Sequence, residues 1–253
     1  MTKRDQIFLT IIGILVIIYA GREILIYYND YLNSQNPEPV PIEENICEPP
    51  EYSNQEEIIS EEPKILSHYQ NLYDQNPDMI GYLNIPNAKI NYPIMDNCND
   101  FYLHHDFHQN DSAHGVPYIG YNTDITDHAI LIYGHNMKDK TMFGNLTKFL
   151  DKDFFDKCED IICDTLYESR KFEVIGVFKS WVHTINEDGY RFYNFYGNPT
   201  ENEFEEFKDY LKETCIYSKD LDSLNSEDHI IQLVTCAYHR ENGRLVVVLK
   251  ERS

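Results

Sequence analysis

The apolar and polar positions of the chain follow three successive patterns. A run of apolar residues covers positions 7–21 and continues through Ile24, Leu25 and Ile26. A polar stretch rich in glutamate, with five prolines, follows over residues 33–62. From residue 80 onward, short apolar segments alternate with turn-forming residues. This order predicts an apolar helix, an extended linker and a β-rich domain.

The apolar run predicts a helix that anchors the chain in a membrane. Residues 7–21 alone would span ~22 Å, and the continuation to Ile26 brings the apolar length close to the ~30 Å hydrocarbon core. Lys3 and Arg4 precede the run, which places the N-terminus in the cytoplasm and the remainder outside. A cleaved signal peptide is the alternative, but the run is followed by a poor cleavage site. We therefore expect a retained single-pass anchor over residues 1–32.

The remaining chain, residues 63–253, predicts one mainly β domain with helical inserts. The predicted strands cover residues 80–85, 90–95, 116–121, 129–133, 172–182, 230–234 and 245–249. The predicted helices lie within residues 58–73, 142–150 and 201–217. Thr200 and Glu203 form a capping box at the start of the last one. Short strands separated by turns indicate a closed barrel or a sandwich.

Composition narrows the possible partners and the chemistry of the cysteines. The 253 residues include 43 Asp and Glu against 21 Lys and Arg, a net charge of −22. A nucleic-acid-binding surface needs a basic patch, so we expect no nucleic-acid partner. The six cysteines contain no CxxC pair, and their even number leaves disulfides open. We expect the five cysteines other than Cys236 to be free or buried thiols.

The stretch at 229–249 carries candidate chemistry. Its two apolar strands flank Asn242-Gly243, a strong turn signal, so Cys236 and Arg244 are predicted to meet at one rim of a sheet. A guanidinium beside a thiol favours the thiolate or holds an oxyanion that the thiolate creates. Upstream, His135 follows a buried-type strand and is a candidate acid–base partner. For a lone cysteine, simple burial in the core would be the better interpretation.

Four motifs in this order resemble those of class B sortases. They are Met79-Ile80-Gly81-Tyr82-Leu83-Asn84-Ile85-Pro86, Asn99-Asp100-Phe101-Tyr102-Leu103, Tyr133-Gly134-His135-Asn136-Met137, and Leu233-Val234-Thr235-Cys236 with Arg244 eight residues on. The resemblance runs from about residue 66 to the C-terminus. It implies a sortase-type closed β-barrel with N-terminal helices and a helix before the cysteine strand.

The resemblance also implies a membrane-anchored cysteine transpeptidase at the surface of a Gram-positive cell. Such an enzyme cleaves the C-terminal sorting signal of secreted proteins after threonine. It transfers the acyl group to a peptidoglycan peptide amine or a pilin lysine. Cys236 is then the nucleophile, His135 the proton donor and Arg244 the oxyanion-binding residue. The expected substrate-binding residues are Asn99, Tyr133 and Thr235, and no cofactor or metal is expected.

Two other functions remain open. The first is another cysteine peptidase or an L,D-transpeptidase acting on peptidoglycan. Against a papain-like peptidase, His135 precedes Cys236, whereas in that class the cysteine comes first. Against an L,D-transpeptidase, Leu-Val-Thr-Cys stands where that class has Ser-His-Gly-Cys. The second is a non-enzymatic, membrane-anchored surface binding domain.

A histidine cluster falls in a predicted loop, without the cysteine or paired glutamate that would complete a metal site. Its members are His104, His105, His108 and His114. Arg240, in the turn after Cys236, is predicted to be a solvated charge.

Overall fold

The computed structural model describes residues 63–96, 100–121 and 123–252 of the chain. The predicted anchor over residues 1–32, the predicted linker over residues 33–62 and the predicted site residue Asn99 lie outside these ranges. Within them, none of the helices combines the length and the apolar character needed to cross a bilayer.

In the part of the chain that the structure describes, nine strands join into one sheet that closes on itself. They are β1 Met79–Ile85, β2 Ile90–Met95, β3 Tyr118–Ile119, β4 Ala129–Tyr133, β5 Ile161–Thr165, β6 Lys171–Trp181, β7 Tyr217–Ser218, β8 Ile230–Cys236 and β9 Gly243–Glu251. The hydrogen-bonded order is β5-β1-β2-β3-β4-β8-β9-β6-β7, and β5 also pairs with β6. Eight strands therefore close into a barrel, with β7 added beside β6. The predicted fold class, a mainly β closed barrel with helical inserts, is confirmed.

Alternation along the strands fills the barrel and covers part of its outer face. Along β8, Ile231 and Leu233 belong to the interior cluster, to which all eight barrel strands contribute. Ile230 and Val234 belong to a second cluster on the outer face. The outer cluster also includes Phe192, Phe195, Phe204, Phe207 and Leu211. Residues between β6 and β7 thus seal one outer side of the barrel.

Within the described ranges, three α-helices interrupt or flank the strands. They are α1 Gln70–Gln75, α2 Lys152–Lys157 and α3 Glu201–Thr214. The predicted capping box of α3 is present: the Thr200 hydroxyl accepts from the Glu203 backbone N–H, and the Glu203 carboxylate accepts from the Thr200 backbone N–H. Helix α3 buries Phe204, Phe207 and Leu211, so the apolar stripe in its sequence is its contact face.

Two helix predictions are corrected by the structure. Of the N-terminal helix expected within residues 58–73, residues 58–62 lie outside the described ranges, and the described part forms the six-residue helix α1 over Gln70–Gln75. Leu66, before it, is not helical and donates its backbone N–H to the Leu166 carbonyl. The helix expected over 142–150 is a 3₁₀ helix over Gly144–Leu150.

The strand predictions match β2 and β4 residue for residue and β1 and β6 to within one residue, and they need correction elsewhere. The segment expected over 116–121 forms only the two-residue β3, and the sequence did not predict β5 or β7. The hairpin strands β8 and β9 are longer than predicted because pairing continues to Cys236 and starts at Gly243. In the turn, Asn242 adopts a left-handed conformation (φ 52°). Gly243 is needed for a different reason, since a Cβ there would clash with the Ala237 carbonyl oxygen.

Candidate active site

Cys236 and Arg244 face each other across the last pair of the β8–β9 ladder. Cys236 is the final residue of β8, and its register partner on β9 is Arg244. Directly opposed residues on one face of a sheet have Cβ atoms about 4.5–5.5 Å apart, so the thiol and the start of the arginine side chain are neighbours. Both side chains are half-buried. Strand alternation puts them on the outer face of the barrel, together with Val234.

Three hydrogen bonds join the segment of His135 to the segment of Cys236. The Gly134 N–H donates to the Val234 carbonyl at 3.1 Å, and the Thr235 hydroxyl donates to the Gly134 carbonyl at 2.7 Å. The Asn136 side-chain amide donates to the Cys236 carbonyl at 2.6 Å. The two motifs, about 100 residues apart in sequence, are therefore held in one backbone framework.

The His135 ring has a fixed partner. Its Nε2 lies 2.8 Å from the Leu103 carbonyl oxygen. Because a carbonyl only accepts, Nε2 carries the hydrogen in this contact and Nδ1 is the nitrogen that can exchange a proton. The Phe143 N–H donates to the His135 carbonyl, and the Phe143 ring packs so closely on Gly134 that a Cβ there would clash. Phe143 therefore supports the backbone of the histidine.

A cavity of about 580 Å³ opens above these residues. Its floor, called here the strand floor, is the outer face of β4, β8 and β9 and consists of Leu131, Tyr133, Val234, Cys236 and Arg244. One side, called here the loop wall, lies between β6 and α3 and consists of Val182, Phe192, Tyr193 and Tyr196. His135, Leu103, Asp100, Tyr118 and Thr235 also line it. A cavity of this size accepts a peptide of a few residues.

Two tyrosines in the cavity remain protonated at neutral pH. Burial raises the pKa of Tyr133 to about 12, although the nearby charge of Arg244 opposes the shift. Burial also raises the pKa of Tyr118, and the adjacent Asp100 carboxylate acts in the same direction. The Tyr118 phenol is hydrogen-bonded to the Asp100 carboxylate, and both phenols lie near the Arg244 charge.

Comparison with known proteins assigns the family. The sequence model of the Sortase domain matches residues 83–252. The chain is 31% identical to sortase B of Listeria monocytogenes over 189 residues, which cover 73% of this chain and 74% of that protein. The chain belongs to the sortase family, class B.

The solved structures agree with this assignment. Sortase B of Bacillus anthracis in complex with AAEK2 superposes with a TM-score of 0.64 at 29% identity, over 77% of this chain and 87% of that one. A Staphylococcus aureus sortase B–substrate complex gives a TM-score of 0.64 at 25% identity, over 75% and 86%. The chain is thus a sortase transpeptidase, a cysteine enzyme of the cell wall. The open alternatives, a peptidoglycan cysteine peptidase or L,D-transpeptidase and a non-enzymatic binding domain, give way to it.

The predicted substrate-binding residues are Tyr133, Thr235 and Asn99, and each has a different position relative to the cavity. Tyr133 lies on the strand floor of the cavity. The Thr235 side chain alternates to the opposite side of β8 from Cys236, and its hydroxyl is used by the Gly134 carbonyl. Asn99 lies outside the described residues, but its neighbour Asp100 lines the cavity. Within the histidine cluster, His105 pairs with Asp111 at 3.3 Å and His114 with Asp139 at 3.1 Å.

The thiols of the sortase differ in exposure. Cys158, Cys163 and Cys215 are free in the structure, and burial raises their pKa values to about 11, 12 and 12. Cys236 is free and lines the cavity. Cys47 and Cys98 lie outside the described residues. Of the four described thiols, Cys236 is the one at the site.

Three residues at the site had no role in the sequence interpretation. Asn136 donates to the Cys236 carbonyl, and its place beside His135 in the sequence is the signal that could have identified it. Gln232, fully buried on β8, donates through Nε2 to the Phe192 and Phe195 carbonyls at 3.3 and 3.1 Å and so fastens the loop wall. The third residue is Leu103, whose backbone carbonyl contacts the His135 ring. No pattern of side chains along the sequence indicates a contact made by a backbone group. Arg240 is exposed, as predicted, but its guanidinium also stacks on Trp181.

Proposed function

We propose that this sortase cleaves a C-terminal sorting signal of secreted proteins after threonine and transfers the new acyl group to an amine of the cell wall. The acceptor is an amine of the peptidoglycan peptide or a pilin lysine. The observation that carries the proposal is the opposition of Cys236 and Arg244 across β8 and β9, with His135 tied to the same framework. A cavity with one thiol, one imidazole and one guanidinium suits acyl transfer through a covalent intermediate.

In the first half-reaction, the Cys236 thiolate attacks the carbonyl carbon of the peptide bond after the threonine. The electrons of the carbonyl double bond move onto its oxygen, and the Arg244 guanidinium stabilises this charge. Collapse of the adduct breaks the C–N bond. The leaving amine takes a proton from the His135 imidazolium, and a thioester of Cys236 remains.

In the second half-reaction, the acceptor amine attacks the thioester and passes a proton to His135. The Cys236 thiolate leaves, and a new amide bond replaces the one that was cleaved. Both groups are regenerated. The Leu103 carbonyl supports the imidazolium, because its dipole faces the Nε2–H that carries part of the charge.

The thioester is the decisive test. Full-length protein is mixed with a sorting-signal peptide without an acceptor amine, and its intact mass is measured. We expect a mass increase equal to the acyl fragment ending in threonine, mapped to Cys236 and released by an added amine. Cys236→Ala should show no adduct, whereas the control Cys215→Ala should form it normally. Peptide cleavage without an adduct at Cys236 would contradict the proposal.

We further propose that residues 1–32 anchor the enzyme with the catalytic domain, residues 63–253, outside the cell. The apolar run preceded by Lys3 and Arg4 supports this topology. Protease added to protoplasts should release a fragment that begins within residues 33–62. Complete protection of the domain would contradict the topology.

A further inference from the structure

The turn that joins the strand of Cys236 to the strand of Arg244 is fastened to the loop after β6. Arg240 lies in this turn, and its guanidinium carbon is 3.7 Å from the centroid of the Trp181 ring. Its Nη2 is also 3.4 Å from a carboxylate oxygen of Glu187. A planar guanidinium can stack on an aromatic ring and pair with a carboxylate at the same time, which an ammonium group cannot do equally well.

Further contacts lead from Trp181 to the loop wall. The Trp181 ring stacks on His183 with centroids 4.7 Å apart. The His183 backbone N–H donates to the Tyr193 hydroxyl at 3.1 Å, and the Val182 N–H donates to the Asn242 carbonyl at 3.0 Å. Val182 and Tyr193 both line the cavity above Cys236. The set Arg240, Trp181 and His183, called here the arginine stack, thus connects the turn after the nucleophile to the wall of the cavity.

The loop itself is folded around the same set. Glu187 accepts the Thr184 backbone N–H at 2.8 Å, which holds its carboxylate near Arg240. Gly189 has a φ of 132°, and a Cβ there would clash with the His183 ring. The segment 184–189 is therefore shaped to present Glu187 to the arginine and to leave room for the stacked histidine.

We infer that Arg240 is a positioning residue for substrate binding, holding the loop wall against the strand floor through the arginine stack. The inference rests on the proposed function, because the substrate it concerns is the same sorting-signal peptide. The contacts of Arg240 are to the loop and not to the reacting atoms. Loss of the stack should therefore loosen the loop wall and weaken peptide binding, while the chemical step at Cys236 continues.

A single tryptophan makes the stack visible without a label. The chain contains one Trp, Trp181, so intrinsic tryptophan emission comes from the stack alone. Removing the guanidinium exposes the indole ring to water and should shift its emission to longer wavelength. This readout needs neither substrate nor turnover.

The experiment compares full-length Arg240→Ala, Arg240→Lys and Glu187→Gln with the unmodified enzyme. Arg240→Ala should shift the Trp181 emission and raise KM roughly three- to tenfold, with kcat within about twofold. Arg240→Lys keeps the charge but loses the planar stack, so it should recover only part of the change. Glu187→Gln should raise KM less than about twofold, since exposed ion pairs contribute little. Arg252→Ala, an exposed arginine at the other end of β9, is the matched control and should change neither value.

Other outcomes separate the inference from the proposed function. Unchanged emission and KM in a folded Arg240→Ala variant would overturn the inference, as would a fall in kcat with KM kept. Circular dichroism and thermal unfolding establish that the variant is folded. If the unmodified enzyme cleaves no sorting peptide, the proposed function fails. The arginine stack is then tested by the Trp181 emission and by the rate of proteinase K cleavage within residues 184–189. Cleavage should be faster in Arg240→Ala than in the unmodified enzyme. Equal cleavage rates would overturn the inference.

Discussion

The strand floor and the loop wall of the cavity are built by different kinds of interaction. The floor is set by the β-ladder: hydrogen bonds between β4, β8 and β9 fix which residue faces which, and a one-residue shift would turn Cys236 to the interior. The wall is set by side chains, namely Gln232 beneath it and the arginine stack beside it. The comparison teaches that the candidate catalytic residues Cys236 and Arg244 lie on the part fixed by backbone pairing, whereas the facing wall depends on side-chain contacts.

The largest expected effect comes from removing the cation on the strand floor. Arg244→Ala should lower kcat/KM by ~10²–10³, the usual loss for one oxyanion donor, with the fold kept. Arg244→Lys should restore part of the loss, because it keeps the charge without the planar fork. Steady-state cleavage of a sorting-signal peptide measures both. Near-normal cleavage by Arg244→Ala would remove Arg244 from the mechanism.

A smaller effect is expected from a substitution at Gln232, where the strand floor and the loop wall meet. Gln232→Leu leaves the Phe192 and Phe195 carbonyls without the buried donor they now share, which should lower the free energy of unfolding by about 1–3 kcal/mol. KM should rise because the wall loses its fastening. Urea unfolding and steady-state kinetics test this together. A variant with full stability and unchanged KM would show that the wall holds without Gln232.

A substitution at Thr235 tests whether this side chain supports the backbone through Gly134 or contacts the substrate. Thr235→Val removes the donor to the Gly134 carbonyl and should lower the free energy of unfolding by about 0.5–1.5 kcal/mol. KM should stay within about twofold, since the side chain is on the other side of β8 from Cys236. Thr235→Ser, which keeps the hydroxyl, is the control. A raised KM at unchanged stability would instead support the predicted contact with substrate.

The smallest effect on activity is expected at the buried thiols. In a Cys47→Ala, Cys98→Ala background at pH 8, N-ethylmaleimide should label Cys236 and spare Cys158, Cys163 and Cys215. Burial raises the pKa of those three thiols to about 11, 12 and 12, so they remain protonated and unreactive, and Cys158 should react first as the pH approaches 11. Mass mapping gives the sites. Replacing Cys215 alone should leave turnover unchanged, and rapid labelling of Cys163 at pH 8 would contradict its burial.

The resemblance to class B sortases selected a closed barrel over a sandwich. The sequence pattern by itself determined a mainly β domain of short strands, the hairpin of Cys236 and Arg244, and the capping box of α3. These features depend on alternation, turn residues and caps, which are local properties of the chain. The same local patterns missed β5 and β7 and placed the N-terminal helix too early, because pairing with distant strands decides such short segments.

Only the tertiary structure decided what surrounds the reactive groups. It joined the Thr235 hydroxyl to the Gly134 carbonyl, put the Leu103 carbonyl on His135, and stacked the exposed Arg240 on Trp181. Each of these contacts joins segments at least 32 residues apart, and two of the partners, on Leu103 and Gly134, are backbone carbonyls, a group that every residue possesses. Sequence patterns report the face on which a side chain lies. The partner it meets there depends on how distant segments pack, and that is settled only when the barrel closes.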